Sequence, residues 1–272
     1  MVDASTLPNL IIVGSRKSGT TSLHGYLGQH PDVFMSKPAE LHFFDRTANW
    51  AKGVEWYASF FENAGDAKIR GEKTPMYSTY PHHVGIPARV KSVVPDAKLI
   101  YVMRDPIARI RSQYVAAVVL GVETKPFERA VIRSPDYADL SRYAMQIEQW
   151  LKQFDRDQLL LLTSEQLWHD HEETMADVFR FLDVDPDFVP EAVPANVTRS
   201  KVVHQGVVNG LRTRGIGRAM RRLPESIKAP VRRHADNTGT RADEIPAVLT
   251  PEQLQDVLSV VQERSYGRLS EA

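Results

Sequence analysis

The segment Gly14-Ser-Arg-Lys-Ser-Gly-Thr-Thr21 sets two glycines five positions apart, the spacing of a loop whose backbone amides cradle phosphate. In a triphosphate-binding loop a lysine follows the second glycine and reaches the β- and γ-phosphates. Thr20 holds that position here, and the lysine stands instead at Lys17. The amides of Ser18 to Ser22, at a helix start, are thereby offered to a terminal phosphate, and Lys17 approaches from the opposite side.

A second group is Arg104-Asp-Pro-Ile-Ala-Arg-Ile-Arg-Ser112. Positions 104, 108 and 112 are four apart and share a helix face, where Ala108 leaves room between a guanidinium and a hydroxyl. Arginine offers phosphate a planar fork of donors, and serine adds one more. A third set of ionisable residues is Glu40 and His42 in Lys37-Pro-Ala-Glu-Leu-His-Phe-Phe-Asp45, with Lys73 further along the chain. Phe43 and Phe44 read as packing.

These residues need strand ends and helix starts to hold them. Leu10-Ile-Ile-Val13 is a short apolar run ending at Gly14, as expected of a strand buried on both faces. A helix over 22–29 follows. Residues 68–75 read as a brief strand running into a turn, and Lys98-Leu-Ile-Tyr-Val-Met103 as a stronger strand ending on Arg104. Asp105 reads as a cap, with Pro106 opening a helix that runs to about Leu120. Further on lie a helix over 140–154, a strand over 158–163 and a helix over 171–182. Alternating strands and helices predict an α/β fold with a central, mostly parallel sheet flanked by helices. Ligands of such sheets sit beyond the carboxyl ends of the strands, where Gly14 and Arg104 both fall.

Hydrophobic residues make up 42% and charged residues 25% of the 272, the balance of an ordinary globular enzyme, and one domain over 1–272 is expected. Basic and acidic residues number 34 each, so no global excess draws the chain to nucleic acid, and an anion site must be built locally. The absence of cysteine excludes disulfides, thiolate metal sites and a cysteine nucleophile. No signal peptide and no run near the ~20 apolar residues of a membrane span is seen, so a cytoplasmic location is expected. Arg212 to Arg233 is strongly basic and reads as a solvated face, a lid, a patch for an anionic acceptor or a peripheral membrane contact. A last helix is expected from Thr250, where Thr-Pro-Glu-Gln253 has capping-box form.

The run K-S-G-T-T-S-L resembles the 5′-phosphosulfate loop of sulfotransferases that use 3′-phosphoadenosine 5′-phosphosulfate (PAPS), and Arg104 to Tyr114 resembles their 3′-phosphate motif. The resemblance spans about residues 8 to 201 and implies a P-loop-like sulfotransferase fold. It implies a donor site of Arg16, Lys17, Ser18, Gly19, Thr20, Thr21, Ser22, Arg104 and Ser112. Leu160 to Leu167 is similar to the family's strand and acidic turn. Asn196-Val-Thr-Arg-Ser-Lys201 is similar to a late loop that adds Arg199 and Lys201. Residues 37–45 resemble the K-E-x-H-F-F stretch of the heparan sulfate type, which implies Glu40 as general base, with His42 as orienting neighbour or rival base. Ala39 stands where that group often has lysine, so assisting charge must come from Lys37 or elsewhere. Gly71-Glu-Lys-Thr-Pro-Met-Tyr77 resembles another stretch of the group, implying that Lys73 joins Lys17 at the leaving phosphate or binds the acceptor.

The expected reaction is in-line sulfuryl transfer from PAPS to a hydroxyl of a carbohydrate, glycolipid or small alcohol, leaving PAP and needing no metal. Two alternatives stay open: a P-loop nucleotide kinase or NTPase, and a catalytically silent PAPS- or PAP-binding module.

Overall fold

In the computed structural model, residues 6–191 and the strand residues 202–203 and 240–241 are described. Arg199, Lys201, the basic stretch 212–233 and the helix expected from Thr250 lie outside the described residues. The chain divides into two compact units: Met1–Arg109 with Asp139–Asn196, and Ile110–Ala138 with Val197–Ala272.

The first unit holds a five-stranded sheet of β1 (Leu10–Gly14), β2 (Val33–Met35), β3 (Ile69–Lys73), β4 (Lys98–Met103) and β5 (Leu159–Thr163). Their order is β2-β3-β1-β4-β5, and every pairing is parallel, as the alternation of elements predicts. β1 is buried along its whole length, and its residues divide between two cores because successive side chains point to opposite faces. Ile11 and Val13 join Leu99, Tyr101 and Leu159 under Phe43, Phe44, Tyr57, Ile86, Val90 and Trp150. The helices supplying that face are α3 (Gly53–Ala58), α4 (Ile86–Val93) and α8 (Tyr143–Leu151). Leu10 and Ile12 pack on the other face with Ile100, Val102 and Leu162, against α1 (Thr20–Leu27), α9 (Ser164–His169) and α10 (His171–Leu182). Between Phe44 and α3 lies the single turn α2 (Thr47–Trp50).

From β1 the chain crosses to β2 on one side, while β4 leads to β5 on the other. The carboxyl ends of β1 and β4 therefore border the crevice where parallel sheets bind ligands.

The division between units falls within α5 (Pro106–Val119), after Arg109. In the second unit the rest of α5 is followed by α6 (Phe127–Arg133) and most of α7 (Pro135–Asp139). Tyr114 stacks edge-on to Phe127 and donates its hydroxyl to Lys125 O at 3.0 Å. A short antiparallel pair joins β6 (Val202–Val203) to β7 (Thr240–Arg241). Among the described residues, no helix is long and apolar enough to cross a membrane.

Candidate active site

The loop after β1 is shaped by close packing. A Cβ on Gly14 would lie 2.5 Å from Cε2 of the buried Tyr101 ring, so no larger residue fits there. Ser15 bonds Val102 O at 3.0 Å and Ser18 Oγ at 2.7 Å, which turns the Ser18 hydroxyl inward. Lys17 (φ 69°) and Gly19 (φ 88°) both take the left-handed conformation. For a non-glycine residue such as Lys17 that costs about 1–2 kcal/mol, the kind of strain found where a loop is held for a ligand. Gly19 is the residue before α1, so the helix begins at Thr20, two residues ahead of the sequence expectation. The first amides of α1 have no acceptor within the helix. Around them Thr20 is buried, Thr21 is exposed, and Arg16 and Ser22 are partly exposed.

Arg104 follows β4 directly. Its backbone is clamped by Tyr143, whose hydroxyl donates to Arg104 O at 2.7 Å, and its Nη1 donates to Lys17 O at 3.2 Å. The guanidinium carbon stands 4.9 Å from the centre of the Trp168 ring. Its Nε–H is buried with no hydrogen-bond partner. A guanidinium tethered to the phosphate loop with a donor to spare fits an anion. Asp105 caps α5 by accepting from Ala108 N at 2.7 Å, as expected. One correction follows: α5 begins at Pro106, so Arg104 stands before the helix rather than on a shared helix face with Ala108 and Ser112. Ser112 lies on α5 within the second unit.

The acid–base group gathers at the end of β3. Register pairs Ile12 with Lys73, which brings Lys73 beside the point where β1 enters the loop. The buried Lys73 Nζ donates to Glu40 Oε1 at 2.7 Å and to Thr21 Oγ1 at 3.2 Å. Glu40 Oε2 faces His42 Nε2 at 3.4 Å, and His42 Nδ1 bonds Asp45 Oδ2 at 2.8 Å. The hydrogen bond from His42, with help from Lys73, holds the Glu40 carboxyl at about 2. The Asp45 bond, and then Glu40, push His42 up to about 9, although partial burial opposes this. Near neutral pH Glu40 is an anion and His42 a cation. The carboxylate is an acceptor held in its charged form, and the imidazole is a donor.

The structure therefore brings Glu40, His42, Lys73 and Thr21 into one cluster, and Lys17, Gly19 and Arg104 into an adjoining one. The ammonium beside Glu40 is that of Lys73, while Lys37 is exposed. Sequence reasoning missed Asp45, although it lies three residues from His42 on the same turn. It also missed Trp168 and Tyr143, which reach Arg104 from elements distant in sequence.

The family model described as the sulfotransferase domain matches residues 7–204. The chain belongs to the sulfotransferase family. PAPS is the sulfuryl donor this family implies, and the family does not favour the nucleotide-kinase or silent-module alternatives. The sulfotransferase is 34% identical over 185 residues to human heparan sulfate glucosamine 3-O-sulfotransferase 3B1, covering 65% of this chain and 46% of that protein. It is 29% identical over 235 residues to the human enzyme numbered 6, covering 83% and 67%. It thus spans less than half the length of the 3B1 relative. Among solved structures it resembles a sulfotransferase from Alicyclobacillus acidocaldarius at TM-score 0.62 and 29% identity, over 70% of this chain and 86% of that one. A sulfotransferase domain from the curacin biosynthetic pathway, at 16% identity and TM-score 0.53, shares the fold over 96% of this chain and 98% of that one.

Proposed function

We propose that this sulfotransferase transfers a sulfuryl group from PAPS to a saccharide hydroxyl, with Glu40 as general base. The observation that carries the reading is the Glu40 carboxylate held between Lys73 and His42, with the same lysine touching the first turn of α1. Base and phosphate loop are thereby joined through one ammonium. The saccharide acceptor is supported by relatives whose names specify heparan sulfate glucosamine.

The loop amides of 18–22 with Arg16 and Lys17 would hold the 5′-phosphate end of the donor, and Arg104 with its spare Nε–H would take the 3′-phosphate. When bound, PAPS supplies the sulfuryl group, and PAP departs with the electron pair of the broken S–O bond. Glu40 removes the proton from the acceptor oxygen as that oxygen bonds to sulfur. A carboxylate at about 2 is a weak base, so its basicity must rise at that moment. Lys73 offers the means. A shift of Nζ from Glu40 toward the phosphate end both neutralises the charge developing there and frees Glu40 to bind the proton. His42, already protonated, keeps the carboxylate oriented and is thereby disfavoured as the base.

The test is turnover of radiolabelled PAPS against heparan oligosaccharides, a glycolipid and simple alcohols, with PAP binding measured in parallel. Labelled saccharide is expected, and Glu40→Gln should lower kcat by roughly 100- to 10,000-fold while PAP affinity stays within about twofold. Unchanged kcat in Glu40→Gln would remove Glu40 as the base.

A further inference from the structure

Beside the acid–base group lies a buried carboxyl that takes no part in it. Glu72, next to Lys73 on β3, is fully buried. Tyr57 and Tyr77 donate their hydroxyls to its Oε1 at 2.6 and 2.9 Å, and Thr74 donates to Oε2 at 2.7 Å. Its hydrogen-bond partners are all neutral. Burial pushes its pKa up, and these hydrogen bonds oppose that rise.

A carboxyl buried without a cation adds little to stability, since a well-packed apolar residue often does as well. What this one does is distinctive in where its partners lead. Tyr77 Oη, bonded to Glu72, accepts the Phe43 N–H at 3.1 Å. Thr74 Oγ1, bonded to Glu72, accepts a longer contact from the His42 N–H at 3.5 Å. Two consecutive backbone amides are thereby tied to one carboxyl through its partners. The first of the two residues is His42, whose φ of 52° puts it in the left-handed region that a branched or ring-bearing side chain rarely takes. Such a conformation persists only where its surroundings over-determine it. It is also what lets the imidazole stand between Glu40 and Asp45.

We infer that Glu72 is a positioning residue for sulfuryl transfer: through Thr74 and Tyr77 it fixes the backbone of residues 42 and 43, and so aims His42 and its partner Glu40. This rests on the reading of Glu40 as base. Its neighbour Lys73 acts on the reacting atoms, whereas Glu72 acts only through the loop it holds.

The test compares Glu72→Gln, Tyr77→Phe and Thr74→Val with the parent enzyme, counting active sites by PAP titration so that unfolded protein is not scored as lost catalysis. The expected result for Glu72→Gln is a kcat per PAP-binding site lowered roughly 10- to 100-fold, with PAP affinity within about twofold, because misaimed catalytic groups lose rate rather than donor binding. The His42 imidazole, followed by NMR, should titrate below its parent value, since its bonds to Glu40 and Asp45 loosen while Arg46 still opposes its charge. Tyr77→Phe and Thr74→Val each cut one branch and should show smaller losses of the same kind. They decide the matter if Glu72→Gln does not fold. A drop in melting temperature with unchanged kcat per site and unchanged His42 titration would overturn the inference, leaving Glu72 as a core residue. Loss of turnover in Glu40→Gln alongside that result would leave the base intact. Full turnover in Glu40→Gln would instead overturn the base, and the His42 titration would then judge Glu72 alone.

Discussion

Lys73 Nζ lies 2.7 Å from Glu40 Oε1, on a side chain only 5% exposed, while the Glu40 side chain is 41% exposed. The cation is fixed by the protein and the anion faces solvent, as the proposed role of Glu40 as base requires. Replacing Lys73 with Met should lower kcat by roughly 100- to 1000-fold, the usual loss when a donor at developing charge is removed. It should also raise the Glu40 pKa from about 2 toward the ordinary carboxylate range, since Lys73 is among the groups holding it down. The acid limb of kcat/KM against pH should then move upward. A limb that stays where it was in the parent would show that Lys73 does not set the charge of Glu40.

His42 gives the cluster its alkaline boundary. Its folded pKa of about 9 lies above the ordinary value of 6.5, so its contribution to stability is complete below about pH 6.5 and is lost as pH rises through about 9. Denaturant midpoints should fall between about pH 7 and pH 10 in the parent and fall less in His42→Ala. Because the Asp45 hydrogen bond is the largest cause of the rise, Asp45→Asn should bring the imidazole titration down, as read by NMR. An Asp45→Asn protein whose His42 still titrates near 9 would contradict this assignment.

The phosphate loop, β4 and the start of α5 were legible because their signals are local: an apolar run, a glycine pair, an Asp-Pro cap. Lys98–Met103 and His171–Leu182 match the expected bounds in full. β2, at three residues, carries too little pattern to read. α4 opens on Gly85-Ile-Pro, a start signal obscured by the turn residues before it. At the site, Glu40, His42 and Lys73 were readable as residue types, but their pairing depends on β3 lying beside β1, a register no short motif encodes. Asp45, Trp168 and Tyr143 contribute through tertiary contact and left no spacing to recognise.

Gly14→Ala tests the packing that shapes the loop. The added methyl would meet the Tyr101 ring at 2.5 and 2.8 Å, and that ring is fully buried, so neither side can yield cheaply. The expected cost is about 1–3 kcal/mol in urea unfolding, with PAP binding weakened as the loop shifts. Parent-like stability and binding would show that Tyr101 has room to move.

Trp168 is 45% exposed, unusual for an indole unless it serves a surface contact, and its ring faces the Arg104 guanidinium. A Cβ on Gly19 would sit 4.0 Å from Trp168 Nε1, so the indole also borders the phosphate loop. The ring steadies Arg104 from one side as the Lys17 carbonyl does from the other, at a gain of roughly 0.5–2 kcal/mol for such cation–π pairs. If Arg104 takes the 3′-phosphate, Trp168→Ala should weaken PAP by roughly fivefold, about 1 kcal/mol, and leave 5′-AMP almost unaffected, because AMP lacks that phosphate. Trp168→Phe, which keeps an aromatic face, should recover most of the loss. Calorimetric titration of both nucleotides reads the ratio directly, and equal weakening of PAP and AMP would assign Trp168 to the base or the 5′-phosphate loop instead of to Arg104.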